Sequence, residues 1–260
     1  MGLKRTMTRK CFLIDSPPLA TGLVVLGPEV AHHVRTVLRL RPGDRIELRD
    51  GRGHVWEGVL VEAGGREVRV AVQPKLPGAV ESPLRLTLAL ALARADRMEL
   101  ALRQATEMGV HRFIAFPAER SDYRLSGLQG AKRKERWGRI ACEALCQCGR
   151  IKLPDLQLCA DLGEFLAVPC ARVAAAAGGL KLLAREDGER AGLMALFERY
   201  RACREVLVVV GPEGGWSQSE GEQFQAAGFQ PVHLGPRILR LETAAVALLA
   251  AVQMFWGDLK

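Results

Sequence analysis

Short apolar runs alternate with amphipathic stretches through the last two thirds of the chain. Residues 84–93, 110–117 and 206–210 are compact runs of aliphatic side chains, a pattern typical of strands that are buried on both faces of a parallel sheet. Between them, residues 98–108 and 192–203 repeat apolar side chains at helical spacing. Strands that alternate with helices in this way predict an α/β domain with a parallel sheet and crossover connections.

Two further segments of this region are predicted from their periodicity. Residues 132–148 place apolar side chains on one helical face and a run of basic side chains on the other. Residues 171–177 are small and are followed by Gly178 and Gly179. We interpret them as a strand whose ligand-facing edge leaves room for a flat ring such as adenine.

The first quarter of the chain has shorter runs in which apolar and polar residues alternate. Residues 23–26, 46–49, 54–62 and 67–72 fit half-buried strands, and closely spaced short strands favour a small barrel. Prolines and a glycine then cluster just after this region, as they do at domain boundaries. We therefore predict three parts, namely a β-rich domain over 1–76, a linker over 77–82 and the α/β domain over 83–260.

The final segment, residues 244–256, is nearly uncharged, and Gln253 is its only strongly polar side chain. A helix that is apolar on every side must be buried on every side, and this one is shorter than the roughly 20 apolar residues that span a bilayer. We expect one face to pack on its own sheet and the other on a second subunit. Thr243 is the predicted N-cap, and Glu242 would lie beside the positive end of the helix.

Two glycine-bearing turns precede this helix. Gly-Pro-Glu-Gly-Gly at 211–215 follows an apolar run, and Ser217 with Glu220 forms a predicted capping box for the next helix. Leu-Gly-Pro-Arg at 234–237 follows a second short strand. Gly-rich turns at strand C-termini bind ligands in open α/β sheets, so we expect one pocket built from both turns. The first turn lacks the Lys-Ser/Thr of a phosphate-binding loop, and a purely structural turn is the alternative.

The paired motifs resemble the cofactor loops of the SPOUT class of methyltransferases, and within it the RsmE family, which methylates N3 of a uridine in 16S ribosomal RNA. The resemblance implies an α/β trefoil-knot methyltransferase domain, a preceding PUA-like β-barrel that binds RNA, S-adenosyl-L-methionine as the cofactor, and a homodimer formed through the C-terminal domain. The partner would be 16S rRNA or the small ribosomal subunit. The implied cofactor-binding residues are Val209, Gly211, Pro212, Glu213, Gly214, Leu234, Gly235, Ile238, Leu239, Arg240, Thr243 and Ala244.

The chemistry expected of this site is modest, because the sulfonium of S-adenosylmethionine already activates its methyl group. Loss of the N3 proton leaves negative charge on O2 and O4 of the uracil. Arg240 is the candidate that stabilises this charge. Glu242 is the candidate base if burial raises its pKa, and an inert acid at the helix start is the equal alternative. Neither a metal nor a covalent intermediate is needed, and we predict no metal site.

Net charge favours a polyanionic partner. The chain carries +8 overall, and the first 82 residues hold 13 basic against nine acidic side chains; an idle basic surface is the alternative. Within this region, six arginines are plausible phosphate contacts, namely Arg35, Arg39, Arg41, Arg45, Arg49 and Arg52. The predicted RNA-binding residues are Arg9, Arg35, Arg39, Arg120, Gln147 and Arg150.

The chain departs from the family pattern at two positions that bear on RNA contacts. Cys146 replaces the usual glutamate before Gln147, and Gln104 stands where relatives commonly carry lysine. Cys142, Cys146 and Cys148 lack the spacing of a zinc site, and burial as small hydrophobes is favoured over metal binding.

Seven scattered cysteines fit free thiols in a reducing compartment, and the chain shows no signal peptide or membrane span, so we expect a cytoplasmic protein. Two alternatives to the 16S activity stay open. One is a SPOUT enzyme that modifies another ribosomal or transfer RNA nucleotide, and the other is a non-catalytic RNA-binding protein of ribosome assembly.

Overall fold

The computed structural model describes residues 10–15, 22–64, 67–78, 80–121, 123, 127–172, 178–185 and 192–259. The chain divides into two compact units. The first contains residues 1–81 together with 142–153, and the second contains residues 82–141 and 154–260. From the sequence, residues 142–153 are predicted to belong to the α/β domain. The structure instead groups them with the first unit.

The first unit is built on a five-stranded sheet in the order β1-β3-β4-β5-β2. β1 runs parallel to β3 and every other pairing is antiparallel. The four predicted strands are all present. Its elements, in chain order, are β1 (Cys11–Leu13), β2 (Gly22–Val25), α1 (Pro28–His32) with a π-helical turn (His33–Val37), β3 (Arg45–Arg49), β4 (Val55–Glu62) and β5 (Arg69–Lys75).

Arg49 explains how residues 142–153 join this unit. Its side chain is 1% exposed; Nε donates to Glu47 Oε1 at 2.8 Å, and Nη1 donates to the Leu145 carbonyl at 3.2 Å and to the Arg150 carbonyl. The prediction that Arg49 contacts phosphate is therefore wrong, because its guanidinium is buried and donates its hydrogen bonds to groups inside the protein.

Glu81 makes the second anchor. Its carboxylate accepts from Arg150 Nη2 at 2.9 Å and from the backbone N–H groups of Ile151 at 2.8 Å and Lys152 at 3.0 Å. Burial by itself would raise the pKa of Glu81, but the hydrogen bond and charge of Arg150 outweigh it and hold this pKa below its ordinary value. Arg150 is 3% exposed and its side chain is part of a buried ion pair, which argues against its predicted contact with RNA.

The second unit is an α/β domain whose six strands are all parallel, in the order β11-β9-β10-β6-β7-β8. This confirms the predicted fold class. Its elements are β6 (Arg85–Ala91), α2 (Ala95–Glu107), β7 (Arg112–Phe116), α3 (Gly127–Cys148, which continues into the first unit), β8 (Asp155–Leu158), α4 (Leu162–Ala167), β9 (Gly179–Ala184), α5 (Leu193–Arg199), β10 (Glu205–Val210), α6 (Gln218–Ala226), β11 (Gln230–Val232) and α7 (Leu241–Trp256).

Alternating residues of the central strands feed two cores, one on each face of the sheet. In β10, Val206, Val208 and Val210 pack with side chains of α2, α3, α5 and α7. Leu207 and Val209 point to the other face, among side chains of α4 and α6. Successive side chains of a strand point to opposite faces of the sheet, and here both faces are buried. Every position of this run is therefore apolar.

The predicted strand at residues 171–177 is not found in the part of this segment that the structure describes. Ala171 lies in a 3₁₀ turn (Pro169–Arg172) and residues 173–177 fall outside the described ranges. The observed strand is β9, which was missed because Lys181 interrupts its apolar pattern. Lys181 Nζ donates to the carbonyls of Ala171 (3.1 Å) and Ala227 and lies 5.3 Å from the Phe229 ring centroid, and burial lowers the pKa of this amine.

Helix α7 starts earlier than predicted. Arg240 is the N-cap, with extended backbone and its carbonyl accepting from Ala244 N at 2.8 Å, so the assignment of Thr243 as N-cap is wrong: Thr243 already lies inside the first turn. Gln253, the polar exception, is 1% exposed and bonds to Ser82 Oγ (2.9 Å) and the Met108 carbonyl (2.7 Å). Within the described ranges, none of the helices is apolar and long enough to cross a bilayer.

Candidate active site

The two predicted turns line one cavity, at the carboxyl ends of β9, β10 and β11. These strands are neighbours in the sheet, so the loops that follow them meet at one edge, as ligand-binding loops do in open α/β sheets. The cavity measures about 1070 Å³. Most of the predicted cofactor residues lie on its wall, namely Gly211, Pro212, Glu213, Gly214, Leu234, Gly235, Ile238, Leu239, Arg240 and Ala244. Two do not: the Val209 side chain is buried in the core and Thr243 is exposed elsewhere.

Close packing fixes the first turn. A Cβ on Gly211 would lie 2.8 Å from the Trp216 ring, so only glycine lets the indole sit against the backbone here. The Trp216 Nε1–H donates to the Ala184 carbonyl at 3.1 Å, which ties the turn to the end of β9. Gly215 has a φ of +68° and its N–H donates to the Pro212 carbonyl at 2.9 Å. The turn therefore has one backbone path, and that path depends on its glycines.

The predicted capping box of α6 is present. Ser217 Oγ accepts from Glu220 N at 3.2 Å, and Glu220 Oε2 accepts from Ser217 N at 2.9 Å. The other carboxylate oxygen, Oε1, accepts from Glu119 N at 2.8 Å. One buried glutamate thus caps a helix and also holds the loop after β7 against the loop after β10.

Two arginines clamp the first turn from outside it. Arg97, in the first turn of α2, forms an ion pair with Glu213, and Arg120 Nη1 donates to the Gly214 carbonyl at 3.0 Å. Arg120 was predicted as an RNA contact, whereas Arg97 was missed. The available signal for Arg97 was its position just after β6, whose carboxyl end lies beside that of β10. A strand-end basic residue next to a predicted ligand loop is a candidate for holding that loop.

The described cavity wall is strongly basic. It carries five arginines against one glutamate, Glu213, and that glutamate is already paired. The arginines are Arg97, Arg120, Arg185, Arg237 and Arg240. A wall of this charge favours a polyanion close to the cavity.

The two predicted catalytic residues, Arg240 and Glu242, lie on either side of the first residue of α7 and do not line the cavity together. Arg240 is exposed on the cavity wall, whereas Glu242 is absent from the described lining residues. The Glu242 Oε2 atom is buried, and no hydrogen-bond partner for it is found in the described part of the chain. Its carboxylate lies in the first turn of α7, where the helix dipole favours negative charge.

The predicted RNA contacts of the first unit differ in exposure. Arg39 and Gln147 are exposed, and Arg39 adopts a left-handed backbone conformation with a φ of 50°. Arg35 is half-buried, and its Nε donates to the Ala31 carbonyl at 3.3 Å. Arg9 lies outside the described residues.

Comparison with known proteins gives two family matches. The family described as an RNA methyltransferase domain matches residues 80–253, and the one described as an RNA methyltransferase PUA domain matches residues 26–73. The chain is 32% identical over 249 residues to the ribosomal RNA small subunit methyltransferase E of Mycobacterium bovis, covering 95% of this chain and 92% of that protein. It is 30% identical to the protein of the same name from Bacillus subtilis, covering 88% of each.

A solved structure agrees with these sequence matches. The ribosomal RNA small subunit methyltransferase E from Neisseria gonorrhoeae, bound to S-adenosyl methionine, superposes with a TM-score of 0.86 at 31% identity, covering 97% of this chain and 100% of that one. The matches extend over both the β-rich part and the α/β domain that carries the cavity. The chain therefore belongs to the RNA methyltransferase family of ribosomal RNA small subunit methyltransferase E.

Proposed function

We propose that this protein transfers the methyl group of S-adenosylmethionine to N3 of a uridine in 16S ribosomal RNA of the small subunit. The observation that carries the proposal is the cavity at which the loops after β9, β10 and β11 meet, with glycine turns on its wall and Arg240 at its edge. The family membership, together with the name that the relatives share, supports the same activity.

The residues present fit S-adenosylmethionine. A volume of about 1070 Å³ is slightly above the range of roughly 300–1,000 Å³ that holds drug-sized ligands, so the cavity is large enough for this cofactor. Gly211, Gly214 and Gly235 leave backbone amides and carbonyls accessible on the wall, and Ile238 and Leu239 supply apolar surface for the base. When bound, the cofactor supplies an activated methyl group on a positively charged sulfur.

The chain itself positions the substrates and manages charge. Holding two reactants in register contributes several kcal/mol to a bimolecular transfer, and the clamped first turn provides that rigidity. Arg240, with its guanidinium free of ion pairs to described acidic side chains, would stabilise the negative charge that develops on the uracil oxygens. For Glu242, its absence from the described wall favours the role of an acid at the helix start over that of the general base.

The second subunit and the RNA surface are part of the same proposal. We expect α7 to form the homodimer contact, because the helix is mostly apolar and yet its Met254 side chain is 61% exposed. Arg39 and Gln147 are the exposed candidates for contact with RNA in the first unit. The protein would act in the cytoplasm, where ribosomal subunits are assembled.

The test is methyl transfer to small subunits from a strain that lacks this gene, followed by mapping of the modified base. We expect a single N3-methyluridine in 16S RNA; a methylated base in 23S or transfer RNA would replace the proposed substrate. Calorimetry with S-adenosylmethionine separates the enzyme from a non-catalytic RNA-binding protein, which needs no cofactor.

Arg240→Ala tests the proposed role of the cavity arginine. We expect cofactor affinity to persist while turnover falls by a factor of 10² or more, about 3 kcal/mol of transition-state stabilisation. Arg199→Ala, at an exposed position on α5, is the matched control and should turn over normally. Unchanged turnover in Arg240→Ala would remove Arg240 from the mechanism.

A further inference from the structure

Two thiols from distant parts of the sequence meet inside the first unit. Cys11 Sγ lies 3.3 Å from Cys146 Sγ, and both residues belong to the same compact unit. Both are half-buried and neither is in a disulfide. From the sequence, Cys146 is expected to be buried as a small hydrophobe, and Cys11 has no expected role. The methyl-transfer chemistry uses neither thiol.

One strand, β3, positions both cysteines. β1 lies on β3 with Cys11 opposite Glu47, and Ile14 N donates to the Arg49 carbonyl at 2.8 Å. From the same strand, the Arg49 guanidinium holds the carbonyls of Leu145 and Arg150, on either side of Cys146 along the chain. The backbone on each side of the thiol pair is therefore fixed by hydrogen bonds. A contact held in this way is a property of the fold rather than of two mobile side chains.

We propose that Cys11 and Cys146 are a redox-active dithiol that a low-molecular-weight disulfide oxidises reversibly to an intramolecular disulfide. One protein thiolate attacks the small disulfide, forms a mixed disulfide and releases one small thiol. The second protein thiol, as its thiolate, then attacks the mixed disulfide, forms the Cys11–Cys146 bond and releases the second small thiol. The protein loses two electrons and two protons, and the small disulfide becomes two thiols.

The geometry makes this step accessible without rearrangement of the chain. The sulfur atoms must approach from 3.3 Å to about 2.05 Å, a movement that side-chain rotation can supply. The hydrogen bond from the Cys11 thiol, followed by burial, raises the pKa of Cys146, which favours the protonated thiol over the attacking thiolate at this sulfur. Among the described side chains, no three potential metal ligands cluster anywhere, so the pair has the composition of a thiol–disulfide couple rather than of a structural zinc site.

Two neighbouring cysteines are the competitors that the experiment must separate. Cys142 lies one helical turn before Cys146, and burial raises its pKa. Cys148 is exposed, and its Sγ donates to the Leu145 carbonyl at 3.7 Å. The 3.3 Å contact of the Cys11 thiol is with Cys146, which selects that residue.

The test treats the folded, full-length protein with oxidised glutathione, blocks the remaining thiols with N-ethylmaleimide and digests with trypsin. Cys11 falls in the peptide 11–35, and Cys146 falls in the peptide 140–150. We expect these two peptides to appear joined, with five rather than seven blocked cysteines per chain, and dithiothreitol should restore all seven. No joined peptide from protein whose circular dichroism is native would overturn the proposal.

Variants assign the bond within the peptide that holds three cysteines. The double variant Cys142→Ser/Cys148→Ser keeps both proposed partners and should cross-link like the unmodified chain; loss of the link there would also refute the assignment. Cys146→Ser should lose the joined peptide, and persistence of the link in that variant would move the bond to another cysteine. None of these readouts depends on methyl transfer, so they stand or fall apart from the proposed function.

Discussion

Gly211 offers the sharpest test of how the first turn holds the cofactor. In Gly211→Ala the new Cβ would lie 2.8 Å from Cε2 and 3.0 Å from Nε1 of Trp216, whereas ordinary contact begins near 3.4 Å. The indole must therefore retreat by about 0.6 Å within a packed core. Overpacking of this kind costs about 1–3 kcal/mol. The displaced ring also weakens the 3.1 Å bond from Trp216 Nε1 to the Ala184 carbonyl, worth about 1 kcal/mol more.

The expected total is a loss of about 2–4 kcal/mol of unfolding free energy, with weaker binding of S-adenosylmethionine by a factor of about 10 or more because the turn has moved. Urea unfolding measures the first quantity and titration calorimetry the second. Gly138→Ala is the matched control: its Cβ would meet nothing within 4 Å in the middle of α3, so it should stabilise the chain by about 0.5–1 kcal/mol and leave binding unchanged. If Gly211→Ala loses stability but binds the cofactor normally, the turn is structural and the reasoning about the site fails.

Three further predictions follow from contacts outside the turn. Arg97→Gln should leave Glu213 without its ion pair and raise the KM for S-adenosylmethionine about 3–10-fold, with stability changed by less than about 1 kcal/mol because the pair is partly exposed; an unchanged KM would contradict the clamp. Met254→Lys should convert a dimer to monomers in light scattering, while Met194→Lys, equally exposed on α5, should not; a dimer that survives places the contact elsewhere. Glu81→Gln should cost about 1–3 kcal/mol at pH 7. Because the pKa of Glu81 is lowered, its stabilisation is present above the ordinary value of 4.5 and is lost as pH falls from there through the lowered pKa of the folded state, so denaturation curves of variant and parent should converge only below that lowered pKa and not at neutral pH.

The sequence predicted best those features whose cause is local. The capping box of α6 needs only Ser217 and Glu220 at the right spacing, and the structure forms it. The tightness of the 211–215 turn follows from its own glycines, and its position from the apolar run before it. Even so, the reason that Gly211 is required is Trp216, five residues later, and Arg97 enters the site from helix α2. Local rules thus located the site, whereas the residues that hold it in shape come from the tertiary fold.

Three of the errors, at Lys181, Arg49 and Arg150, share one physical cause, which is the buried charged side chain. Lys181 broke the pattern of β9 because sequence rules place lysine outside, yet its amine is satisfied by two carbonyls. Arg49 was counted as a phosphate contact and Arg150 as an RNA contact, although their guanidinium groups are satisfied within the first unit. In each case a long side chain reaches backbone or acidic groups that lie far away in the sequence, so no window of neighbouring residues could reveal the partner.

These buried pairs also bear on the argument from charge. Arg49 is paired with Glu47 and Arg150 with Glu81, so each pair removes one positive and one negative charge from the surface together. The excess of basic residues in the first unit is therefore undiminished, but fewer side chains carry it. Its contribution to RNA binding must come from exposed arginines such as Arg39, and substitution of Arg49 or Arg150 should reduce stability without changing the salt dependence of RNA affinity. A reduced salt dependence in those variants would mean that the buried guanidinium groups reach phosphate after all.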